Sequence, residues 1–162
     1  MFNIGDKVVY PMHGAGVIES IEEKEILGQK QKYYIMKMPV GDIQVMVPTD
    51  SAEKVGLREV IRCEDADRVL NVLSSEQTVM NANWNKRYRE NMDRIKNGKI
   101  LEVAEVVKNL AHKSSEKGLS AGEKKLYNNA KQILISELVL ADQGTKAEVE
   151  ALIDEKLSLS KL

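Results

Sequence analysis

The hydrophobic period of this chain changes once, near residue 60, and that change limits what the chain can fold into. Before it the sequence alternates with period two. Apolar and β-branched runs at 7–10, 15–21, 32–38 and 43–47 are separated by turn-forming breaks at His13-Gly14, Leu27-Gly28 and Pro39-Val40-Gly41-Asp42. Four or five short strands in about 60 residues make a small, strongly bent antiparallel sheet or barrel. From about Cys63 the period becomes helical. Ala66, Val69, Leu70 and Leu73 share one face, as do Ile100, Val103, Ala104, Val107, Leu110 and Ala111. Ala130, Ile133, Leu134, Leu138 and Ala141 form a third stripe, and Val149, Leu152, Ile153 and Leu157 a fourth. Gly98, Gly118 and Gly144 follow helical runs, where a left-handed C′ residue is expected. Ser120 with Glu123, and Thr145 with Glu148, have the spacing of capping boxes. The expected fold is therefore α+β, with a β domain over residues 1–60 and a bundle of about five helices over 61–162, joined by a short junction.

Charge is uneven along this frame. Residues 1–60 carry seven Lys/Arg and nine Asp/Glu, whereas 84–99 carry six basic and two acidic residues. The whole chain has a net charge of −1, which excludes a uniformly cationic nucleic-acid binder but not a local basic patch. Cys63 is the only cysteine and His13 and His112 the only histidines, so neither a disulfide nor a Cys-based zinc cluster is expected. The N-terminus lacks the apolar run of a signal peptide, and no segment approaches the ~18 apolar residues of a membrane span. The expectation is a cytoplasmic protein with no membrane contact and no metal or other cofactor.

The basic segment also holds the only tryptophan, in Asn83-Trp84-Asn85-Lys86-Arg87-Tyr88-Arg89-Glu90-Asn91-Met92. Asn83 or Asn85 is a natural N-cap. Lys86, Arg87 and Arg89 then lie in the first two turns, where each cation near the helix terminus costs ~0.3–1 kcal/mol against the helix dipole. A phosphate docked there removes the penalty. Two readings of Trp84 stay open on spacing alone. It either begins a core stripe with Tyr88, Met92 and Ile95, or it is an apolar wedge flanked by cations, the chemistry with which minor-groove binders prop open a base step.

Several motifs in order resemble the CarD/CdnL family of bacterial transcription regulators over nearly the whole length. They are Val8-Val9-Tyr10-Pro11 with His13-Gly14, Gly41-Asp42 followed by Val47-Pro48, Val55-Gly56-Leu57-Arg58, Asn83-Trp84-Asn85-Lys86-Arg87-Tyr88 and Gly118-Leu119-Ser120-Ala121-Gly122-Glu123-Lys124. The resemblance implies a Tudor-like N-terminal domain that binds the RNA polymerase β subunit and a helical domain that contacts promoter DNA. It implies a monomer that places Trp84 in the minor groove at the upstream edge of the transcription bubble and stabilises the open complex. Lys86, Arg87, Tyr88 and Arg89 would then contact phosphates or support the wedge, with Met92 extending the apolar patch. On the polymerase side the resemblance points to Lys24, Ile26, Met46 and Pro48, on adjoining strands. Lysine at 24 cannot reproduce a bidentate guanidinium contact, whereas pairing through a strand edge would not depend on side-chain identity.

Other signals are weaker. His13-Gly14-Ala15-Gly16 lacks the pattern of a phosphate loop and reads as a hairpin turn. His112, beside Lys113 near a helix end, reads as solvated or dipole-compensating. Glu22, Glu23 and Glu25 read as charges that discourage edge pairing rather than as a metal site. No nucleophile–base pairing appears, so an enzyme is not expected. Two other classes compete with the transcription regulator. An RNA-binding small barrel would expose aromatics such as Tyr10, Tyr33 and Tyr34 for stacking. A protein–protein scaffold would use the bundle for packing alone.

Overall fold

The period-two half forms five antiparallel strands in the computed structural model, which describes residues 1–160. They are β1 (Lys7–Tyr10), β2 (Gly14–Ile26), β3 (Gln29–Lys37), β4 (Gln44–Pro48) and β5 (Arg58–Glu59), in the order β4-β3-β2-β1-β5. The sheet is open, a Tudor-like sheet and not a closed barrel. Its inner face buries Val8, Ile18, Tyr34, Met36, Met38 and Val47, with Ala52 and Leu57 from the segment that returns to β5. The register shifts between Ile18 and Ser20, a β-bulge that bends the sheet. β2 and β3 extend further than their apolar alternation predicts. Apart from Ile26 the added residues are polar on both faces, and opposite charges pair across the ribbon at Glu23↔Lys32 and Glu25↔Lys30.

The helical half comprises α1 (Ala66–Ser74), α2 (Trp84–Asn97), α3 (Ile100–Glu116), α4 (Ala121–Leu140) and α5 (Lys146–Ser160). The stripes read from the sequence meet in one aliphatic core. α3 contributes buried Val103, Ala104, Val106, Val107 and Leu110 to it, together with Leu73, Ile95, Leu134 and Ile153 of the other helices. Thr145 and Glu148 form a reciprocal capping box, the amide of each received by the side chain of the other at 3.2 Å. Gly98 is the left-handed residue that ends α2, with φ 79°. His112 is buried on α3, not solvated: its position in the turn after Val107 and Leu110 carries it inside the bundle. Among the described residues no helix is long and apolar enough to cross a membrane.

The two halves are joined through α4. The start of β2 lies so close to this helix that a Cβ on Gly14 would stand 2.7 Å from Ser136 Oγ, and the same hydroxyl accepts the Ala15 amide at 2.9 Å. The Gly14-Ala15-Gly16 run is thus a close-packing site as well as the exit of a turn. Pro11 stacks on the far side, where a Cβ on Gly98 would meet it at 2.8 Å. Below them Glu137, almost fully buried, accepts two hydrogen bonds from Arg58, at 2.7 and 2.8 Å, and a third from the Ile61 amide at 3.0 Å. Arg58 Nε also donates to the Gly98 carbonyl at 2.9 Å, so one guanidinium ties β5, the α2–α3 turn and α4. Removing one partner of such a pair strands a buried charge. Arg58→Ala is expected to cost about 3 kcal/mol and to lower the melting temperature by roughly 6–10 °C, measured by circular dichroism.

Candidate functional site

The first turn of α2 is held from behind before it presents anything outward. Asn83 is the cap, its side chain accepting the Lys86 amide at 3.1 Å, and Asn81 in turn accepts the Asn83 amide at 2.9 Å. The segment leading to the cap is pinned to α3. Asn109 accepts the Thr78 amide at 3.0 Å, and Lys108, only 2 % exposed, reaches Ser75 at 3.1 Å and Glu105 at 3.0 Å. Sequence reading misses Lys108 and Asn109. Their signal is a polar pair inside the apolar run from Val106 to Ala111.

Arg87 lies inward from the cap. Its guanidinium donates to both carboxylate oxygens of Glu123 on α4, at 2.9 and 3.2 Å, and to the carbonyls of Asn81 and Ala82 at 3.1 and 3.2 Å. The hydrogen bond it donates to Glu123 holds Arg87 above its ordinary value, so its charge is permanent. Burial pushes the Glu123 carboxyl up. The hydrogen bond and charge of Arg87, the nearby charge of Lys113 and the Ser120 hydroxyl outweigh that and leave it below its ordinary value. With its guanidinium enclosed this way, Arg87 supports the turn. Lys86 and Arg89 are the cations of this turn that remain exposed.

Trp84 rests on this platform. Its ring stacks on Tyr88 with centroids 5.2 Å apart and planes inclined by 15°. Its indole Nε1–H donates to Ser120 Oγ at 3.0 Å, and the ring edge passes 3.5 Å from where a Cβ on Gly122 would stand. Ser120 also accepts the Glu123 amide, so the α4 cap and the indole share one hydroxyl. The ring is oriented by packing, yet 43 % of the residue is exposed, and only Ile95 of the proposed stripe is fully buried. Trp84, half-buried Tyr88 and half-buried Met92 line a shallow groove with Arg89, Asp93 and Lys96. An oriented apolar ridge between cations can enter a narrow groove whose walls are phosphates.

The polymerase-side candidates lie on the sheet. Lys24 and Ile26 are on β2 and Met46 and Pro48 on β4, with β3 between them, so the strands are not adjoining as the sequence suggests. All four nevertheless share a face, since Pro48 pairs with Tyr33, Met46 with Ile35, and Tyr33 with Glu22, two residues from Lys24. β4 is an edge strand and offers unpaired backbone groups along its outer side. The aromatics needed for RNA stacking are not presented. Tyr33 and Tyr34 are buried, and Tyr10 is half-buried against His13, with ring centroids 4.3 Å apart.

Two family descriptions match the chain. Residues 2–61 match the CarD-like/TRCF RID domain and residues 68–154 the CarD C-terminal domain. The chain is also similar to "Putative transcription factor YdeB" of Bacillus subtilis (strain 168), with 41 % identity over 151 residues, covering 93 % of this chain and 99 % of that protein.

The Arg87–Glu123 pair predicts a pH dependence with a definite sign. A carboxyl lowered in the folded state contributes stability above its ordinary value near 4.5 and loses it as pH falls through the lower folded value. Glu123→Gln is expected to cost about 3 kcal/mol at pH 7 and to melt with a shallower acid dependence below pH 4.5 than the wild type. Parallel acid profiles in thermal melts would count against this pair as the source.

Proposed function

The chain belongs to the CarD family of transcription factors, and on that premise we propose that its sheet holds the RNA polymerase β subunit while Trp84 wedges the minor groove at the upstream edge of the transcription bubble. The observation that carries the reading is the propped Trp84–Tyr88–Met92 ridge, half exposed beside the free cations Lys86 and Arg89. A free apolar ridge is unfavourable in water and becomes favourable between base steps. Unstacking a step in duplex DNA costs a few kcal/mol. At a bubble edge the neighbouring pair is already open, so the wedge prefers that junction to intact duplex. A ligand shifts an equilibrium only by its differential affinity for the two states, and this preference is such a difference. Lys86 and Arg89 face the flanking phosphates, which offsets their unfavourable place at the helix N-terminus. No base-reading contact is needed, so the action is general across promoter sequences.

The sheet supplies the address. Lys24, Ile26, Met46 and Pro48 share one face and β4 leaves an edge open, which suits strand addition with side-chain contacts alongside. Holding polymerase through this face raises the effective concentration of the wedge at the bubble, so neither contact alone has to be tight.

Two outcomes follow. Trp84→Ala is expected to cost about 1 kcal/mol of stability, as the ring is only partly buried, and to keep polymerase binding. It is expected to return the open-complex lifetime to that without the protein. A large stability loss with a normal lifetime per folded molecule would sink the wedge. Because Arg87 is occupied by Glu123, the log–log salt slope of DNA association is expected near −2, at roughly 0.9 per phosphate for Lys86 and Arg89. Arg87→Lys should leave that slope unchanged, whereas Arg89→Ala should flatten it by about one unit.

A further inference from the structure

The β2–β3 hairpin outruns its neighbours. β1 pairs with β2 only as far as Lys7↔Val17 and β4 with β3 only as far as Tyr33↔Pro48, while β2 and β3 continue together to Ile26↔Gln29. The result is a two-stranded arm ending in the two-residue turn Leu27-Gly28, with φ of 53° and 80°. A turn with both residues left-handed favours Asn, Asp or Gly at its first position, and a γ-branched apolar residue there is strained.

Four non-glycine residues have positive φ among the described residues, and Leu27 stands apart from the rest. Asp42 and Asp142 are of a type that tolerates the left-handed region. Met12 is packed against the helical core, which compensates its strain. Leu27 is 99 % exposed and packs on nothing, beside Ile26 at 47 %. Both the backbone conformation and the hydrated side chain are unfavourable in the free protein, and burial against a partner would offset the second.

We propose that Leu27 is an apolar anchor that inserts into a hydrophobic pocket of the RNA polymerase β subunit, at the leading end of the face formed by Lys24, Ile26, Met46 and Pro48. This rests on the polymerase-binding reading of that face. Strand alternation and register put Ile26 on the same face as the other three, so the tip continues it without a break. A second copy of the chain is the poorer occupant. Two arms paired by a two-fold axis set Glu22, Glu23 and Glu25 against the same acids, or Lys30 and Lys32 against the same lysines. One exposed turn is also too small for a stable dimer, but it suits an anchor within a larger interface.

The test uses the full chain and purified polymerase core, with Leu27→Asn, Leu27→Met and Met46→Glu compared by equilibrium binding, thermal melting and sedimentation. Asn accepts the left-handed turn, so Leu27→Asn is expected to melt no lower than the wild type and yet to bind polymerase about tenfold more weakly. Leu27→Met, which keeps an apolar side chain, is expected to bind within about twofold of the wild type. Normal binding by Leu27→Asn with loss in Met46→Glu would overturn the anchor and leave the face intact. Normal binding by all three would overturn both. A lower melting temperature in Leu27→Asn, or a wild-type dimer that this substitution dissolves while polymerase affinity is unchanged, would also overturn it.

Discussion

The arrangement of the whole molecule depends on one buried carboxylate. Glu137 receives Arg58 and the Ile61 amide, and Arg58 in turn holds the carbonyl of Gly98. A charge taken out of water is costly, and a pair of this kind adds little net stability over a well-packed apolar contact. What it adds here is direction. A bidentate guanidinium–carboxylate contact has one good geometry, whereas a greasy interface between a small sheet and a helix tolerates sliding. Gly14 lets the two surfaces approach closely enough for that geometry to form.

The same device recurs at the other end of α4. Glu123, in the first turn, receives Arg87 and so fixes the start of α2 beneath Trp84. Both acceptors are on one helix, roughly 21 Å apart at 1.5 Å per residue and within about 40° of the same side. The sheet and the indole are therefore referred to a common rod. Interfacial glycines and paired charges replace the aromatic packing that a chain with a single Phe and a single Trp lacks.

Much of this is legible in the sequence, for identifiable reasons. The change of period marks the two halves because burial on one face forces alternation in a strand and a 3.6-residue stripe in a helix. Gly98 and the capping residues Asn83, Ser120 and Thr145 mark helix ends because their chemistry is local. The distal halves of β2 and β3 are hidden, since a solvated ribbon has no buried face to impose a pattern. Arg87 is assigned to the right turn but its partner is not foreseeable, because Glu123 lies 36 residues away and meets it only through tertiary packing. The same holds for the Arg58–Glu137 contact, across 79 residues, and for the burial of Lys108 and His112. The composition of the Trp84 site is thus readable from sequence, while its exposure depends on how α4 passes behind it.

A rod with a fixed residue at each end constrains how such a chain can change in length. Adding or deleting one residue between Glu123 and Glu137 turns one end by about 100° relative to the other and slides it by about 1.5 Å. Either Arg58 or Arg87 then loses its acceptor, however conservative the inserted side chain. Length variation is consequently excluded from the interior of α4 but open to the exposed turn at Gly41-Asp42. Exposed positions along the rod, such as Lys125, Asn128 and Gln132, are free to drift in identity while the spacing beneath them stays fixed.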